Sequence, residues 1–245
     1  IGGGPAGVSA SLTLGRARRV IALFDDGTNR NRVSQEAHGF ITRDGIKPQQ
    51  LKDLGLKELE KYPSIMYFKE TVADIIKDHE HDRFIVKTMN GQELVTEKVI
   101  LATGIQEEYS IPSIRDFYGK SLFSCPYCDG WEQRDKPLVV IAEKEAHVIH
   151  LTKLIYNWSQ DLVVLTNGVQ LSQEGMAQLQ KHKIKVITDQ VKQLIGHNGY
   201  LQTIEFVTGE SIRRSGGFVA PTYYRPNEFA KKLGCETDES GKVIT

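Results

Sequence analysis

The chain has 245 residues, enough for two domains of modest size, and its 31 basic and 31 acidic side chains leave no formal net charge at pH 7. With no basic surplus and no acidic tail, the charge balance does not favour nucleic-acid binding or an extended solvating segment. No apolar run reaches the length of a membrane span, and we expect no secretory leader. Three cysteines make a poor framework for a secreted disulfide-rich protein, so we expect a reducing, cytoplasmic compartment.

Both ends of the chain have the pattern of the interior of a longer protein. Ile1 opens directly onto a glycine-rich loop, Gly2–Gly7, and nearly all of the strand expected before such a loop is missing. At the other end, Val243–Thr245 has the composition of the start of a strand. We therefore expect further residues of the same fold on both sides.

The first half of the chain has the pattern of a nucleotide-binding αβ unit with a β-meander inserted. A glycine-rich loop, a helix, a strand, a hairpin and a closing strand are predicted in this order, at 2–7, 8–14, 20–24, 83–96 and 98–104. Within the hairpin, Asn90-Gly91 is a strong signal for a two-residue turn.

The second half repeats this order. A strand, a helix, a strand, a hairpin and a closing strand are predicted at 137–142, 146–158, 161–165, 191–207 and 217–220. Asn198-Gly199 supplies the second hairpin turn. Two such halves predict an α/β protein with two Rossmann-like domains of the three-layer ββα type, the second inserted into the first. We place the first, discontinuous domain at 1–112 and 221–245 and the second at 113–220.

The spacing of three glycines at the start of the chain predicts a dinucleotide site. Gly2, Gly4 and Gly7 allow a tight turn and close backbone approach, and the following helix offers N–H groups and partial positive charge to a pyrophosphate. Asp25 lies eighteen residues beyond Gly7, at the end of the next predicted strand. Either Asp25 or its neighbour Asp26 can accept hydrogen bonds from an adenosine ribose there.

A pair of cysteines lies between the two halves, within Ser124–Trp131. Two thiols separated by two residues can close and reopen a short disulfide ring, and a labile pair of this kind suits catalysis better than structure. Asp129, beside the second sulfur, can move the proton that each exchange requires. The segment therefore predicts a redox centre, with a buried structural disulfide as the alternative.

The sequence does not predict a metal site. Zinc would normally need a second cysteine pair or well-spaced histidines, and neither accompanies the pair at Cys125 and Cys128. His147 and His150 can share a helical face, but we interpret them as ordinary surface or core residues. Cys235 has no partner and is interpreted as an ordinary small side chain.

These motifs resemble those of the low-molecular-weight thioredoxin reductases, over nearly the whole chain. The resemblance rests on Gly2-Gly3-Gly4-Pro5-Ala6-Gly7, Ala102-Thr103-Gly104, Cys125-Pro126-Tyr127-Cys128-Asp129-Gly130, Gly217-Phe218-Val219 and Arg225-Pro226-Asn227-Glu228-Phe229. In that family the first fold holds FAD, and the second holds NADPH and the redox disulfide. The tetrapeptide Cys125-Pro126-Tyr127-Cys128 alone also occurs in glutaredoxins. Glutaredoxins are far shorter proteins, however, and in them the tetrapeptide begins a long helix, whereas Asp129-Gly130 would end a helix here.

The resemblance implies a role for each site residue. Cys128 faces the flavin, Cys125 exchanges with a thioredoxin-like protein or a small dithiol or disulfide, and Asp129 serves as acid and base. It also implies a homodimer. The family's late glycine–aspartate element beneath the FAD pyrophosphate is absent. His38 falls where the family places a residue near the flavin ring, and a packed loop histidine is the alternative. The residues expected to bind FAD are Gly2, Gly4, Pro5, Ala6, Gly7, Asp25, His38, Ala102, Thr103 and Gly104.

The main departure from the family follows the predicted strand 137–142. Where an NADPH-binding fold needs a glycine-rich turn, the sequence has Glu143–His147. Side chains there would block close approach of a phosphate, and two carboxylates would repel it. The next strand ends at Thr166-Asn167, without a basic cluster for a 2′-phosphate or an acid for an NAD ribose. We therefore predict little use of NADPH.

The leading hypothesis is an FAD-dependent thiol–disulfide oxidoreductase, and two electron routes fit it. In one, similar to flavoprotein dithiol oxidases, a substrate dithiol reduces Cys125–Cys128, Cys128 passes the electrons to FAD, and oxygen reoxidises the flavin. In the other, an external reductant feeds the flavin and the dithiol reduces a thioredoxin-like protein. The alternative from another class is a non-turnover flavoprotein that senses redox state, although a sensor would not need Asp129.

Overall fold

The computed structural model describes residues 1–244, which form two compact units. Unit 1 comprises Ile1–Arg32, Ile46–Glu107 and the residues from Tyr223 onwards, and unit 2 comprises Val33–Gly45 and Glu108–Thr222. The unit boundaries thus fall a few residues from the domain boundaries predicted from the sequence. The larger difference concerns residues 33–45, which lie in unit 2, whereas the sequence predicted them in the first domain.

Helices are short throughout the described part of the chain, and none there is long and apolar enough to cross a membrane. The α-helices are α1 (Pro5–Arg16), α2 (Pro48–Leu59), α3 (Pro126–Asp129), α4 (Glu145–Ile155), α5 (Gln173–Gln180) and α6 (Phe229–Lys232), and 3-10 helices cover Arg30–Val33 and Pro112–Asp116. The strands are β1 (Ile21–Phe24), β2 (Ile65–Phe68), β3 (Val72–Asp78), β4 (Arg83–Thr88), β5 (Glu93–Thr96), β6 (Gln106–Glu108), β7 (Leu122–Phe123), β8 (Leu138–Ile141), β9 (Leu162–Leu165), β10 (Lys185–Ile187), β11 (Val191–His197), β12 (Tyr200–Phe206), β13 (Ser211–Arg213), β14 (Gly216–Val219) and β15 (Thr222–Tyr224).

Unit 1 combines a parallel strand pair with an antiparallel meander. β1 pairs in parallel with β2, and the rings of Phe24 and Phe68 stack with their centroids 4.9 Å apart. β3, β4 and β5 form the meander, and Gly91 adopts φ 88° at the β4–β5 turn. The predicted helix, strand and hairpin of the first half are therefore confirmed. The core of this unit contains Phe24, Val72, Ile75, Val86 and Phe229.

Two strand predictions at the ends of unit 1 differ from the structure. Residues 98–104 are not a regular strand, because they share only two short hydrogen bonds with Ile1: its amino group donates to the Ile100 oxygen, and its oxygen accepts from the Ala102 N–H, both at 2.8 Å. Two hydrogen bonds to a single residue are too few to form a strand pairing. Val243 forms only an isolated bridge with Thr237, and Thr245 lies outside the described residues.

Unit 2 is built on a five-stranded parallel sheet in the order β10-β9-β8-β14-β7, with β11, β12 and β13 as a separate antiparallel meander. Every residue of β8, β9 and β14 is buried, which is typical of parallel strands covered on both faces. Asn198 and Gly199 adopt φ 50° and 84° at the β11–β12 turn, as the two-residue hairpin requires. The predicted elements of the second half are confirmed.

Candidate redox and nucleotide sites

The glycine-rich loop of unit 1 is packed tightly against its neighbours at Gly2, Gly3 and Gly7, three of its four glycines. Gly2 has φ 103°, and a Cβ on it would lie 2.2 Å from the Ala102 oxygen. A Cβ on Gly7 would lie 1.8 Å from the Gly2 oxygen. The structure thus brings the loop and Ala102 together, and it shows why side chains are excluded at these positions.

Gly4 differs from the other three glycines because nothing lies within 4 Å of the position its Cβ would take. It is the N-cap residue of α1, it makes no side-chain cap, and Pro5 occupies the start of the helix. The first-turn N–H groups of α1 are therefore accessible to an anionic ligand from outside the chain. Residues Gly2 to Gly7 fit a dinucleotide pyrophosphate.

Asp25, at the end of β1, is buried and already engaged. Its carboxylate lies 2.5 Å from Lys52 Nζ and accepts hydrogen bonds from Tyr67 Oη at 3.0 Å and from the Gly3 N–H at 3.2 Å. Burial alone would raise the pKa of Asp25, but the hydrogen bonds from Lys52 and Tyr67 outweigh it, so the pKa is lowered. Asp25 therefore holds the loop to α2 and β2. Of the two acids considered from the sequence, only Asp26 is exposed.

The Ala102–Gly104 segment packs against the same loop. Thr103 Cα lies 3.2 Å from the position of a Cβ on Gly2. Gly104 has φ 69°, and its oxygen accepts a hydrogen bond from Arg225 Nη1 at 3.1 Å. Arg225 belongs to one of the motifs that carry the family resemblance, and this hydrogen bond joins it to the segment beside the glycine loop. Lys52 and Tyr67, by contrast, were missed, because nothing in their local sequence points to Asp25.

Cys125 and Cys128 form a disulfide in unit 2, with their Cα atoms 5.3 Å apart. Cys125 is the N-cap residue of α3, and its oxygen accepts the N–H groups of Cys128 and Asp129 at 3.1 and 3.2 Å. The helix is one turn long and ends at Asp129, and at the C-cap residue Gly130 a Cβ would meet the Pro126 oxygen at 2.4 Å. Two thiols are thereby held in ring-closing geometry at an accessible turn, since Cys128 is exposed.

Asp129 has the properties of a proton-transfer group. Burial raises its pKa to about 7, with a further increase from the nearby Glu132 carboxylate and an opposing decrease from His38. A carboxyl group with a pKa near neutrality can both donate and accept a proton at working pH. His38 lies in unit 2 with these residues, within the segment 33–45. Glu132 was missed, although its position three residues after Asp129 was a usable signal.

Glu143 fills the turn after β8, where a nucleotide-binding fold has glycine. Its Oε1 accepts hydrogen bonds from Ser110 Oγ and, at 2.6 Å, from Asn167 Nδ2. Asn167 also accepts the Val191 N–H at 2.9 Å, so the end of β9 and the start of β11 are joined to the same carboxylate. The cavity beside it is only about 40 Å³ and is lined by Tyr109, Ser110, Ile141, Glu143, Val219 and Thr222, among others.

Glu145, at the start of α4, is also held by the chain itself. It accepts hydrogen bonds from the Ser172 N–H at 2.7 Å and from Ser172 Oγ at 2.6 Å, and these bonds lower its pKa. Ser172 is the N-cap residue of α5, so Glu145 adds a negative charge to the N-terminus of that helix. Both carboxylates are therefore fixed by internal partners. The residues of this turn do not fit a nucleotide phosphate.

No group of three or more His, Cys, Asp or Glu side chains within residues 1–244 has the arrangement of a metal site.

The whole chain, residues 1–245, matches the family model of the pyridine nucleotide-disulphide oxidoreductases, and the chain belongs to this family. Within the family it is thioredoxin reductase-like. The Bacillus anthracis protein TrxB, assigned as a thioredoxin reductase, is 55% identical with a TM-score of 0.95, over 98% of this chain and 80% of that one. The structure of an oxidoreductase from Agrobacterium tumefaciens is 31% identical with a TM-score of 0.90, over 100% of this chain and 82% of that one.

Curated relatives agree with the structures. A protein of Arthroderma benhamiae assigned as a thioredoxin reductase is 33% identical over 186 residues, which are 74% of this chain and 46% of that protein. The thioredoxin reductase sirT of Leptosphaeria maculans is 26% identical over 268 residues, covering 100% of this chain and 80% of that protein. The chain thus spans about half the length of the first relative. The predicted family, the Rossmann-like α/β fold class and the class of oxidoreductase are confirmed.

Proposed function

We propose that this chain is part of an FAD-dependent thiol–disulfide oxidoreductase that passes electrons between Cys125–Cys128 and FAD with little use of NADPH. One observation carries the proposal: the turn that opens unit 1 is accessible at Gly4, whereas the equivalent turn of unit 2 is filled by Glu143, which the chain itself holds by hydrogen bonds.

The proposed FAD site combines the glycine loop with the segments beside it. Gly2, Gly4, Pro5, Ala6 and Gly7 would hold the pyrophosphate at the start of α1, since no side chain of the protein caps that helix. Asp25 or Asp26 would accept from the ribose: Asp25 is already bonded to Lys52 and Tyr67, and the exposed Asp26 accepts hydrogen bonds from Thr28 at Oδ1. Ala102, Thr103 and Gly104 would line the same site. His38 would lie near the flavin ring, as the family resemblance implies. Bound FAD would supply a two-electron acceptor or donor.

The thiol chemistry is assigned to three residues of unit 2. A substrate thiolate attacks Cys125 Sγ, the bond between Cys125 and Cys128 breaks, and Cys128 leaves as a thiolate. The second substrate thiol then displaces Cys125, which gives a substrate disulfide and a reduced cysteine pair, and Asp129 takes up or returns a proton at Cys128. The same steps in reverse reduce a disulfide partner.

NADPH has no step in this scheme, because the turn at Glu143 and Glu145 offers carboxylates where a phosphate needs N–H groups. Electrons therefore enter either from a substrate dithiol, with oxygen as the final acceptor, or from another reductant that reaches the flavin. The proposed partner is a thioredoxin-like protein or a small dithiol or disulfide. The protein itself would be a homodimer, as the resemblance implies, and would act in the cytoplasm, as the three cysteines predict. A non-turnover redox sensor is the competing function.

Single cysteine substitutions in the full-length protein test this function. Cys125→Ser leaves Cys128 as a free thiolate, and we expect a long-wavelength charge-transfer band between it and the flavin. Cys128→Ser should lack the band and should trap mixed disulfides with a partner more readily. Cys235→Ser is the matched control and should behave as the wild type. The band in Cys128→Ser instead would reverse the two roles, and its absence from both variants would favour the sensor.

A further inference from the structure

Glu132 belongs to the same turn of chain as Asp129. After α3 ends at Asp129, the N–H of Gln133 donates to the Gly130 oxygen at 3.2 Å, so the backbone continues to turn. Residues three apart in such a turn lie on one side of it. The Glu132 carboxylate is therefore placed beside the carboxyl group that the proposed function uses for proton transfer.

The two carboxylate oxygens of Glu132 have different surroundings. Oε1 lies 3.8 Å from His38 Nε2. Oε2 is buried and has no hydrogen-bond partner within residues 1–244. A buried carboxylate oxygen without a partner is unfavourable for stability and requires an explanation.

His38 approaches the turn from the segment 33–45 and is surrounded by acidic groups. Its side chain is 17% exposed, its Nδ1 lies 3.4 Å from Asp44 Oδ1, and its Nε2 lies 3.4 Å from Glu36 Oε2. Asp44 also accepts the Gly39 N–H at 2.8 Å, which holds the loop closed around the imidazole. Three carboxylates, from Glu36, Asp44 and Glu132, thus face this histidine.

We propose that Glu132 and His38 are opposed positioning residues for Asp129, with Glu132 holding a proton on the Asp129 carboxyl group and His38 drawing it off. The proposal rests on the proposed function, in which Asp129 moves a proton at Cys128. The raised pKa of Asp129, about 7, agrees with it: burial is the largest cause, Glu132 adds to the rise, and His38 opposes it.

The opposite effects of Glu132 and His38 on Asp129 suit the two proton transfers that the proposed reaction requires. When the disulfide opens, the Asp129 carboxyl group gives its proton to the departing Cys128 thiolate, which becomes a thiol while Asp129 becomes a carboxylate. When the thiol must act as a thiolate, the Asp129 carboxylate takes the same proton back. An acid that is too strong fails in the first step and one that is too weak fails in the second, so a pKa near the working pH serves both.

The test is the titration of Asp129 itself, followed by NMR of protein labelled at the aspartate carboxyl carbons, with Asp129→Asn identifying the signal. Glu132→Gln removes a negative neighbour and should lower the pKa of Asp129 by about one unit. His38→Gln removes a positive neighbour and should raise it. Glu174→Gln, an exposed glutamate on α5, is the matched control and should leave the titration unchanged.

Opposite shifts in the two variants are the signature that a purely structural role would not give. Shifts in the same direction, or an unchanged titration in Glu132→Gln, would overturn the proposal. Should Glu132→Gln fail to fold, Glu132→Asp and His38→Gln carry the test, since the first keeps the charge and should stay near the wild-type titration. The titration needs neither turnover nor a substrate, so it can succeed or fail independently of the proposed redox function.

Discussion

The turn before α1 in unit 1 and the turn before α4 in unit 2 have opposite surfaces. In unit 1 the loop Gly2–Gly7 leaves Gly4 open at the start of α1, and its neighbouring acid, Asp25, is neutralised by Lys52. In unit 2 the turn carries Glu143 and Glu145, and both accept hydrogen bonds from the chain. The strands β8 and β9 of unit 2 are nevertheless completely buried. The fold therefore does not depend on the ligand chemistry of its turns.

The physical reason is that the two properties depend on different atoms. Burial of apolar strands and helix faces stabilises the sheet whatever the turn contains. Phosphate binding depends on a few N–H groups and on local charge, and the carboxylates of Glu143 and Glu145 would repel a phosphate placed beside them. The ligand chemistry of a turn can therefore change while the sheet behind it stays the same.

Closing the open turn of unit 1 is the change with the largest expected effect. Gly4→Leu places a side chain where nothing of the protein lies within 4 Å, so the fold should persist while flavin retention is lost. We expect the purified full-length wild type to carry about one FAD per chain, as a glycine loop in this context predicts, and the variant to carry almost none by absorbance. Ser9→Leu, exposed further along α1, is the matched control. Full FAD occupancy in Gly4→Leu would show that the pyrophosphate binds elsewhere.

Removing the Lys52 ammonium group, which pairs with Asp25 beside the glycine loop, should destabilise unit 1. Lys52→Met leaves the buried Asp25 carboxylate without its partner, which typically costs about 3–5 kcal/mol. Because the folded-state pKa of Asp25 is lowered, the contribution of this pair is present above its unfolded pKa and is lost as the pH falls through the folded value. The difference in urea unfolding from wild type should therefore shrink at acid pH. Lys57→Met, exposed on the same helix, is the control, and equal losses in both variants would refute the pairing.

Opening the filled turn of unit 2 should have the smallest effect. Glu143→Gly combined with Glu145→Gly removes both charges and both side chains, and we expect NADPH binding to tighten by roughly tenfold yet remain weak, since no cation faces the 2′-phosphate. Glu143→Gln with Glu145→Gln removes only the charges, so titration calorimetry on the two double variants separates repulsion from steric blocking. Unchanged binding in both would mean that the carboxylates are not what excludes the nucleotide.

Local signals were sufficient for much of the fold and for the two motifs. The Asn-Gly turns, the continuous apolar strands and the glycine loop each depend on neighbours in sequence. Except for the predicted strand 98–104, the structure has them where the sequence predicted them. The short helix at Asp129 was also expected, because Gly130 follows it.

Contacts between distant segments were not predictable in the same way. Lys52 and Tyr67 meet Asp25 only through the packing of α2 and β2, two elements that the sequence analysis did not single out. The segment 33–45 lies in unit 2, where a Cβ on Gly119 would be 2.6 Å from the Val33 oxygen. Its local composition contains no sign of that close approach. His38 was selected by resemblance, and its acidic surroundings became evident only from the structure.

Anaerobic stopped-flow spectroscopy of the full-length protein tests the contrast between the two turns most directly. Mixed with NADPH under argon, the flavin should stay oxidised over seconds. Mixed with dithiothreitol, it should be reduced through Cys125–Cys128, and Cys125→Ser should prevent this reduction. Bleaching of the flavin within milliseconds by micromolar NADPH would contradict the account and would mean that unit 2 still delivers electrons from a nicotinamide.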